Sequence, residues 1–499
     1  MLAVTSGATP HFRVAILGTG FGGLGMAIRL KQTGEEHFVI LERAPTLGGV
    51  WRDNTYPGAA CDVPSHLYSF SFAPNPDWTH AYSAQPEIWL YLQACAKRFG
   101  LLPHCRFGHD VLACEWVEDA QHWALETSAG NFTADAVISG TGALSDPTFP
   151  ELPGLKRFAG EVMHSARWNA RYDFHGKRVA VVGTGASAIQ LVPALQREAA
   201  QLLLFQRTPA WVMPRKDHLI PAWRRALYRW VPGLQRLSRL ALYCTRELLA
   251  IGFLNPWLLA QVQKLAARHL RKAISDPALR AKLTPHYTLG CKRILVSDDY
   301  YPALNQPNVA VVTEALREVL PRAVVTADGR EHPVDALVFA TGFHVTDMPF
   351  AHLIRGRSGQ TLAETWAGSP RAHLGTTFTG FPNLFLLQGP NTGLGHTSVL
   401  LMLESQFEHI LAGLRFLSVH DLGTLEPTPE AQARFISDVD TKMAHTVWAQ
   451  GGCQSWYLDS TGRNSAIWPD YTFAFMKRVE PFDPSEFTIQ ARRRRGARS

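Results

Sequence analysis

Two segments of the chain repeat the same pattern of apolar and small residues. Each begins with an apolar run, at residues 14–17 or 179–182, continues through a glycine-rich turn and a helical stretch, and ends with a second apolar run. Short apolar runs separated by a stretch of helix length are typical of parallel strands that are buried on both faces of a sheet. The pattern therefore predicts two β-α-β units, at residues 14–42 and 179–207.

Each predicted unit carries a glycine-rich turn between its first strand and its helix. The turns read Gly18-Thr19-Gly20-Phe21-Gly22-Gly23 and Gly183-Thr184-Gly185-Ala186-Ser187-Ala188. Glycine lets the backbone approach a pyrophosphate closely at the N-terminus of the following helix. One such turn is weak evidence, and two could still be tight turns that bind nothing. Because both stand in the same strand–turn–helix–strand context, we predict two dinucleotide sites.

The remaining pattern predicts how the two units are joined. Apolar strands at residues 136–142 and 337–343 both end in Thr-Gly, where we expect the chain to cross between domains. Residues 214–285 follow a helical pattern rich in Leu, Arg and Trp, which predicts an inserted helical subdomain. The predicted fold class is therefore α/β with two Rossmann-like domains. The predicted extents are 1–145 with 381–499 for the first domain, 155–213 with 286–380 for the second, and 214–285 for the insertion.

One pair of charged residues distinguishes the two sites. Glu42 lies 24 residues after Gly18, and Arg207 lies 24 residues after Gly183, each at the end of the second strand of its unit. That position faces the adenosine ribose, where a carboxylate accepts from the hydroxyls and a guanidinium pairs with a 2′-phosphate. The first site should therefore hold FAD or NAD, and the second NADPH, with Thr208 as a further donor. The alternative for Arg207 is a surface ion pair.

One site for a dinucleotide without a 2′-phosphate and one site for NADPH indicate hydride transfer from NADPH to a flavin. FAD is the common hydride acceptor that binds at a Rossmann site with a glutamate in this position. Disulfide reductases share this plan but need a paired dithiol. The closest cysteines here are 9 and 10 residues apart, which does not supply one. Molecular oxygen is then the expected electron acceptor.

The composition narrows the classes further. The chain has 499 residues and a net charge of +7, most of which comes from five arginines among the last eight residues. We therefore predict a solvated tail and no nucleic-acid binding. The seven cysteines form no Cys-x-x-Cys motif, which predicts reduced thiols in a cytoplasmic protein with no metal site. The first ten residues show no secretory signal, and charges interrupt the apolar stretch at 237–259, so we expect no membrane span.

Two longer motifs carry a family resemblance. They read Gly48-Gly49-x-Trp51-x-x-x-x-Tyr56-Pro57-Gly58-x-x-x-Asp62 and Phe158-x-Gly160-x-x-x-His164-x-x-x-Trp168. With the two glycine turns and Ala340-Thr341-Gly342, the sequence resembles type I Baeyer–Villiger monooxygenases of the flavin-containing monooxygenase superfamily over most of residues 13–478. Asn169 departs from the family, which usually has Pro or Asp there. Residues 458–464 are more similar to the branch around 4-hydroxyacetophenone monooxygenase than to the cycloketone branch.

The resemblance implies an enzyme that uses FAD, NADPH and O2 to insert one oxygen atom next to a ketone carbonyl, giving an ester or a lactone. It identifies Lys292-Arg293 as the family's Lys-Arg pair. In that chemistry a C4a-peroxyflavin attacks the ketone, Arg293 would stabilise the anion, and Asp62 would hold the guanidinium. Lys292 would contact the 2′-phosphate beside Arg207. Without the resemblance, an ordinary solvated ion pair would be the simpler interpretation.

The resemblance also implies which residues contact each cofactor. The FAD-binding residues would be Gly18, Gly20, Phe21, Gly23, Glu42, Val50, Trp51, Asp62, Tyr68, Val111 and Leu400. The NADP-binding residues would be Gly183, Gly185, Ala186, Ser187, Ala188, Arg207, Thr208, Lys292, Arg293 and Trp456. Core packing is the simpler role for Trp456. His164 and Trp168 would act in the domain linker rather than in catalysis, or would simply be packed side chains.

The sequence leaves three other functions open. An N- or S-oxygenase uses a protonated hydroperoxide and needs no arginine over the flavin, so Arg293 favours ketone oxidation. An NADPH oxidase would release hydrogen peroxide without oxygenating a substrate. A flavoprotein that only senses NADPH or docks a partner would have no need of Asp62, Lys292 and Arg293.

Overall fold

A computed structural model of the protein describes residues 9–493. Residues 1–8, which form most of the segment used to predict the absence of a signal, and Arg494, Arg495 and Arg498 of the basic tail lie outside the described residues. The strands are β1 His11–Leu17, β2 Phe38–Glu42, β3 Cys105–Phe107, β4 Val111–Val117, β5 His122–Thr127, β6 Gly130–Ser139, β7 Glu161–His164, β8 Arg178–Val182, β9 Gln201–Phe205, β10 Val212–Met213, β11 Leu295–Val296, β12 Val309–Val312, β13 Leu316–Leu320, β14 Ala323–Thr326, β15 Glu331–Pro333, β16 Ala336–Phe339, β17 Ile354–Arg355, β18 Leu384–Leu386, β19 Leu422–Pro427 and β20 Phe487–Ala491. The helices are α1 Phe21–Gln32, α2 Val50–Asp53, α3 Gln85–Arg98, α4 Ala186–Glu198, α5 Ala222–Trp230, α6 Leu234–Glu247, α7 Ala250–Leu254, α8 Pro256–Ala273, α9 Pro277–Leu283, α10 Tyr300–Leu304, α11 Leu362–Trp366, α12 Val399–Val419, α13 Pro429–Met443, α14 Val447–Gln450 and α15 Thr472–Val479.

Each β-α-β unit lies in its own sheet. The first sheet has the strand order β17-β4-β5-β6-β1-β2-β3, with β18 added on β6, and the second has the order β12-β9-β8-β16-β7. In the first sheet β1 lies between its parallel partners β2 and β6, and in the second β8 lies between its parallel partners β9 and β16. The prediction of an α/β fold with two Rossmann-like units is confirmed.

Glycines let each unit close tightly at its turn. Gly18 has φ +95° and Gly183 has φ +117°, a left-handed backbone that side chains rarely adopt. A Cβ on Gly183 would lie 2.3 Å from the carbonyl oxygen of Ala340, at the end of β16. A Cβ on Gly23 would lie 1.9 Å from the carbonyl oxygen of Gly18, so Gly23 lets α1 pack directly against the turn.

The predicted return of the chain to the first domain at residue 381 is too late. Strand β17 pairs with β4 of the first sheet, through Ile354 and Cys114. Leu362 and Trp366 of α11 are buried in the same hydrophobic cluster as Leu384 of β18. Strand β17 and helix α11 therefore already associate with the first sheet, before residue 381. The sequence did not reveal this because a two-residue strand has no readable apolar period.

Helices α5 to α9 fall within the segment that was predicted as a helical insertion. Among residues 9–493, no helix combines the length and the apolar character that crossing a membrane would require.

Buried histidines make a prediction about acid stability. Burial lowers the pKa of His164 and of His409 to about 4, whereas in an unfolded chain histidine takes up a proton near pH 6.5. The unfolded state therefore binds more protons between these values, and the free energy of unfolding falls as the pH is lowered from about 6.5 to about 4. The expected slope is on the order of 1 kcal/mol per pH unit for each histidine.

Thermal unfolding measured across that pH range checks this expectation. His409→Gln should make the dependence of the unfolding free energy on pH shallower. His218→Gln, at an exposed histidine, should leave this dependence as in the wild type. An equal slope in both variants would show that buried histidines do not control acid stability.

Candidate functional site

A single cleft of about 1120 Å³ brings together almost all the residues predicted to form the site. Both glycine turns, Glu42, Asp62, Arg207, Arg293 and Trp456 line it. Two predicted residues, Gly23 and Ala188, do not line the cleft. Gly23 supports the first turn as described above, and Ala188 is fully buried in α4 against the second sheet. Their contribution is close packing behind the turns.

Glu42 is fixed at the first turn by the chain itself. Its Oε2 accepts from the backbone N–H of Thr19 at 3.0 Å and from the Thr19 hydroxyl at 2.6 Å. Its Oε1 accepts from the N–H of Ala44 at 2.9 Å and lies 3.2 Å from Nη1 of Arg52. The carboxylate is therefore held in place beside the N-terminus of α1. This arrangement fits the ribose of an unphosphorylated dinucleotide.

Aromatic side chains continue the cleft from the first turn. Trp51 donates from Nε1 to the Tyr68 hydroxyl at 3.1 Å, and the rings of Phe21 and Tyr68 meet edge to face at 5.1 Å. Val50, Val111 and Leu400 also line the cleft. A wall of this kind suits the flat ring system of a flavin, because apolar and aromatic surface accounts for most contacts in cofactor pockets.

Two cations lie close together at the second turn. Burial lowers the pKa of Lys292, and the positive charge of Arg207 lowers it further. The Lys292 ammonium also lies 5.1 Å from the centre of the Tyr287 ring. Thr208, the next residue after Arg207, is anchored where its carbonyl accepts from the Thr184 hydroxyl at 2.9 Å. Neighbouring like charges repel unless an anion lies between them, so this pair fits a 2′-phosphate.

Arg293 forms a bidentate ion pair within the same cleft. Its Nε donates to Asp62 Oδ2 at 2.9 Å, and its Nη2 donates to Asp62 Oδ1 at 2.8 Å. The Asp62 carboxylate raises the pKa of Arg293 above its ordinary value. The guanidinium is thus permanently charged, and its fork is held in one orientation. The pair also joins the second domain to the segment 48–62 of the first.

Tyr457 is a site residue that the sequence analysis missed. It lines the cleft, is fully buried, and lies with its ring 4.4 Å from that of Trp456, which is half exposed. Burial raises the pKa of Tyr457 to about 12 despite the nearby Arg293. Among the described residues its hydroxyl has no hydrogen-bond partner. The only signal in the sequence was its position next to Trp456.

The linker residues lie outside the cleft. His164 is fully buried and accepts at Nδ1 from the N–H of Ala166 at 3.1 Å. Trp168 stacks on Phe174 at 5.4 Å. Asn169, the departure from the family motif, donates to Glu161 Oε1 at 2.8 Å. These contacts are those of packed and hydrogen-bonded side chains in a domain connection.

The prediction that the cysteines are reduced thiols is wrong for one pair. Cys291 and Cys453 form a disulfide across 162 residues of sequence. It joins the Lys292-Arg293 segment to the segment that carries Trp456 and Tyr457. Spacing along the chain could not reveal it, because the two segments are distant in sequence and are neighbours only in the folded protein. Within the described residues, no group of three or more His, Cys, Asp or Glu side chains is placed to hold a metal ion.

The pairing of the cysteines gives a direct prediction. Alkylation of the unreduced, denatured protein is expected to modify the five free thiols and to spare the disulfide pair. The modified residues should be Cys61, Cys95, Cys105, Cys114 and Cys244. In the native protein only Cys244 should react, because the other four free thiols are buried. Peptide mass mapping checks both results, and alkylation of Cys453 without reductant would contradict the pairing.

Comparisons with known proteins agree with this geometry. The family model described as flavin-binding monooxygenase-like matches residues 11–355. A Baeyer-Villiger monooxygenase of Streptomyces coelicolor is 52% identical over 96% of this chain and 93% of its own length. One from Pseudomonas aeruginosa is 47% identical over 97% of this chain and 93% of its own length. Among solved structures, a closed cyclohexanone monooxygenase superposes with a TM-score of 0.86 at 28% identity, covering 97% of this chain and all of that one. An OTEMO complex with FAD and NADP superposes with a TM-score of 0.87 at 26% identity and the same coverage of both chains.

Proposed function

The chain belongs to the flavin-binding monooxygenase-like family and is a Baeyer–Villiger monooxygenase that uses FAD and NADPH, and on that premise we propose which residues perform the reaction. Arg293, held by Asp62 in the cleft between the two turns, carries the proposal. We propose that the enzyme inserts one oxygen atom of O2 next to a ketone carbonyl, giving an ester or a lactone. The positive charge of Arg293 would stabilise the negative charge that develops on oxygen.

The chain's own residues divide the work of binding. The turn at Gly18 and Gly20, with Glu42, would hold the adenosine and pyrophosphate of FAD. Phe21, Trp51 and Tyr68 would line the flavin ring, together with Val50, Asp62, Val111 and Leu400. The turn at residues 183–187, with Arg207, Thr208 and Lys292, would hold NADPH, and Trp456 would line the nicotinamide end. When bound, FAD would supply the redox chemistry, as the acceptor of a hydride from NADPH and the source of electrons for O2.

Arg293 supplies a fixed positive charge where negative charge develops on oxygen. A guanidinium that is oriented before the reaction would stabilise an oxygen anion in the cleft without having to reorganise. Asp62 sets the orientation of the fork and does not touch the substrate in this proposal. The Tyr457 hydroxyl, which stays protonated, is a further donor that can point at an oxygen in the cleft.

The permanent charge of Arg293 separates this reaction from its closest alternative. Oxygenation of an amine or a sulfide needs a protonated, electrophilic oxygen, which a nearby guanidinium disfavours. The Arg293–Asp62 pair therefore favours nucleophilic attack on a carbonyl as the main reaction, with sulfide oxidation as a side activity. An oxidase that only releases hydrogen peroxide would gain nothing from the pair.

The remaining proposals concern the location, partners and substrates of the enzyme. We place the enzyme in the cytoplasm, since NADPH is an intracellular reductant. We propose no nucleic-acid partner, because Arg493, in the described part of the tail, pairs with Glu118 and Asp119. The similarity of residues 458–464 to the 4-hydroxyacetophenone monooxygenase branch favours aryl ketones among the substrates.

Product analysis tests the reaction. Incubation with NADPH and a panel of linear, cyclic and aryl ketones, followed by mass spectrometry, should show esters or lactones for at least one class. A thioether run in parallel measures the competing sulfoxidation. Sulfoxide formation with no ester from any ketone would assign the enzyme to the S-oxygenases instead.

A further inference from the structure

Helices α5 and α6 of the insertion turn an apolar stripe towards solvent. On α5 the stripe consists of Trp223, Leu227 and Trp230, spaced i, i+4 and i+7, and the two tryptophans are 65% and 77% exposed. On α6 and its C-terminal end it consists of Leu237, Leu240 and Leu248, all more than half exposed. Residues at such spacings share one face of a helix. A surface helix normally buries this face, so the arrangement needs an explanation.

The opposite face of α6 explains why the stripe cannot turn inward. Arg239 donates to the carbonyl oxygens of His66 and Ser69, both at 2.8 Å. Gln235 donates to the Asn75 carbonyl at 2.6 Å, and Arg246 donates to a tyrosine hydroxyl of the first domain, also at 2.6 Å. Positions 235, 239 and 246 lie across the helix from the leucines. The polar face is therefore fastened to the first domain, and the apolar face is left outside.

The charge of the insertion indicates what covers the stripe. Residues 214–285 contain fourteen arginines and lysines but only three acidic residues. Each of the three carboxylates is used within the fold: Asp217 accepts from the N–H of Tyr82, Glu247 from that of Thr472, and Asp276 caps α9. On α5 and α6, Arg239 and Arg246 are bound to the first domain and Arg229 pairs with Asp77. Arg224 and Arg236 are exposed beside the apolar stripe and give it a cationic border.

We propose that the α5–α6 surface binds the face of a bilayer that contains anionic lipid. An amphipathic helix with Trp and Leu on one face and basic residues around it lies in the lipid interface, where tryptophan prefers to be. The basic residues add attraction to anionic headgroups. A second copy of the chain is a poorer occupant, because two equally cationic surfaces would repel each other. This inference does not depend on which substrate the enzyme oxidises.

Vesicle flotation of the full-length holoenzyme tests the proposal. Vesicles of phosphatidylcholine with about 30% phosphatidylglycerol should carry at least ten times more protein than vesicles of phosphatidylcholine alone, and added salt should reduce the difference. An environment-sensitive fluorophore on Cys244, the exposed free cysteine on the same stripe, should shift to shorter wavelength on binding. Equal binding to both vesicles, or no binding to either, would overturn the proposal.

Matched variants separate this surface from the rest of the molecule. Trp223→Ser with Trp230→Ser, and independently Leu237→Gln with Leu240→Gln, should each lower partitioning at least tenfold. Val419→Gln, at an exposed apolar residue on the last turn of α12, should leave it unchanged. All variants should keep their FAD content and their rate of flavin reduction by NADPH.

Sedimentation without vesicles tests the competing occupant. The wild type should give the same sedimentation coefficient as the stripe variants. A dimer of the wild type that the stripe variants abolish would assign the surface to a second copy of the chain. Variants that bind anionic vesicles as well as the wild type does would show that the stripe is not the contact.

Discussion

Arg293→Ala is expected to abolish ester formation while NADPH still reduces the bound flavin. The guanidinium is the permanent charge that we place over the reacting oxygen, and loss of a preorganised electrostatic partner costs on the order of a thousandfold in turnover. In this proposal hydride transfer from NADPH to the flavin does not require the Arg293 guanidinium, so flavin reduction should continue. The measurement is stopped-flow absorbance of flavin reduction under anaerobic conditions, together with ester yield in air.

Two controls make the result specific. Arg293→Lys keeps a charge but loses the fork that pairs with Asp62, so its activity should lie between those of the wild type and the alanine variant. Asp62→Asn keeps the shape of the side chain but removes its charge, and it should lower turnover less than Arg293→Ala does. Undiminished ester formation in Arg293→Ala would remove the proposed role of this residue.

Arg207→Ala is expected to raise the KM for NADPH by about 10- to 100-fold and to leave the KM for NADH nearly unchanged. A charge-assisted contact to a phosphate contributes on the order of 1.5–3 kcal/mol, which gives this range. Only NADPH carries the 2′-phosphate that Arg207 and Lys292 would contact. The measurement is steady-state NADPH and NADH oxidation by the same preparation.

Lys292→Ala is the companion to this variant. It should shift the KM in the same direction, and the double variant should fall short of the sum of the two effects because both side chains share one phosphate. Arg197→Ala, in the last turn of the helix that follows the second glycine turn, is the matched control and should bind both nucleotides as the wild type does. A similar rise in KM for NADH and NADPH in Arg207→Ala would contradict the phosphate contact.

Local sequence patterns predicted the parts of the site that lie within one β-α-β unit. Glu42 and Arg207 were readable because a Rossmann unit fixes the distance from the first glycine to the end of the second strand. The cleft indeed contains both residues. Gly23 and Ala188 belong to the same turns, but they lie against the packed helices and not in the cleft. A sequence motif does not specify which way each of its residues faces.

The features that sequence reasoning missed all depend on contacts between distant segments. Strand β17 is recognisable only through its pairing with β4. The Cys291–Cys453 disulfide and the approach of Tyr457 to Arg293 both require the C-terminal segment to fold over the second domain. Asp62 and Arg293 are 231 residues apart in the sequence, and their pairing was predicted only through family resemblance. Hydrophobic periodicity and turn residues are local features of the sequence, so they contain no information on tertiary contacts between distant segments.

Oxygen labelling distinguishes insertion of oxygen into a ketone from unproductive oxidation of NADPH. The wild-type holoenzyme is supplied with NADPH, isotopically labelled O2 and a ketone that it accepts. The molecular mass of the product is then measured by mass spectrometry. We expect one labelled oxygen atom in each ester and one NADPH consumed for each ester formed. Unlabelled ester, or NADPH consumed with only hydrogen peroxide released, would contradict this expectation.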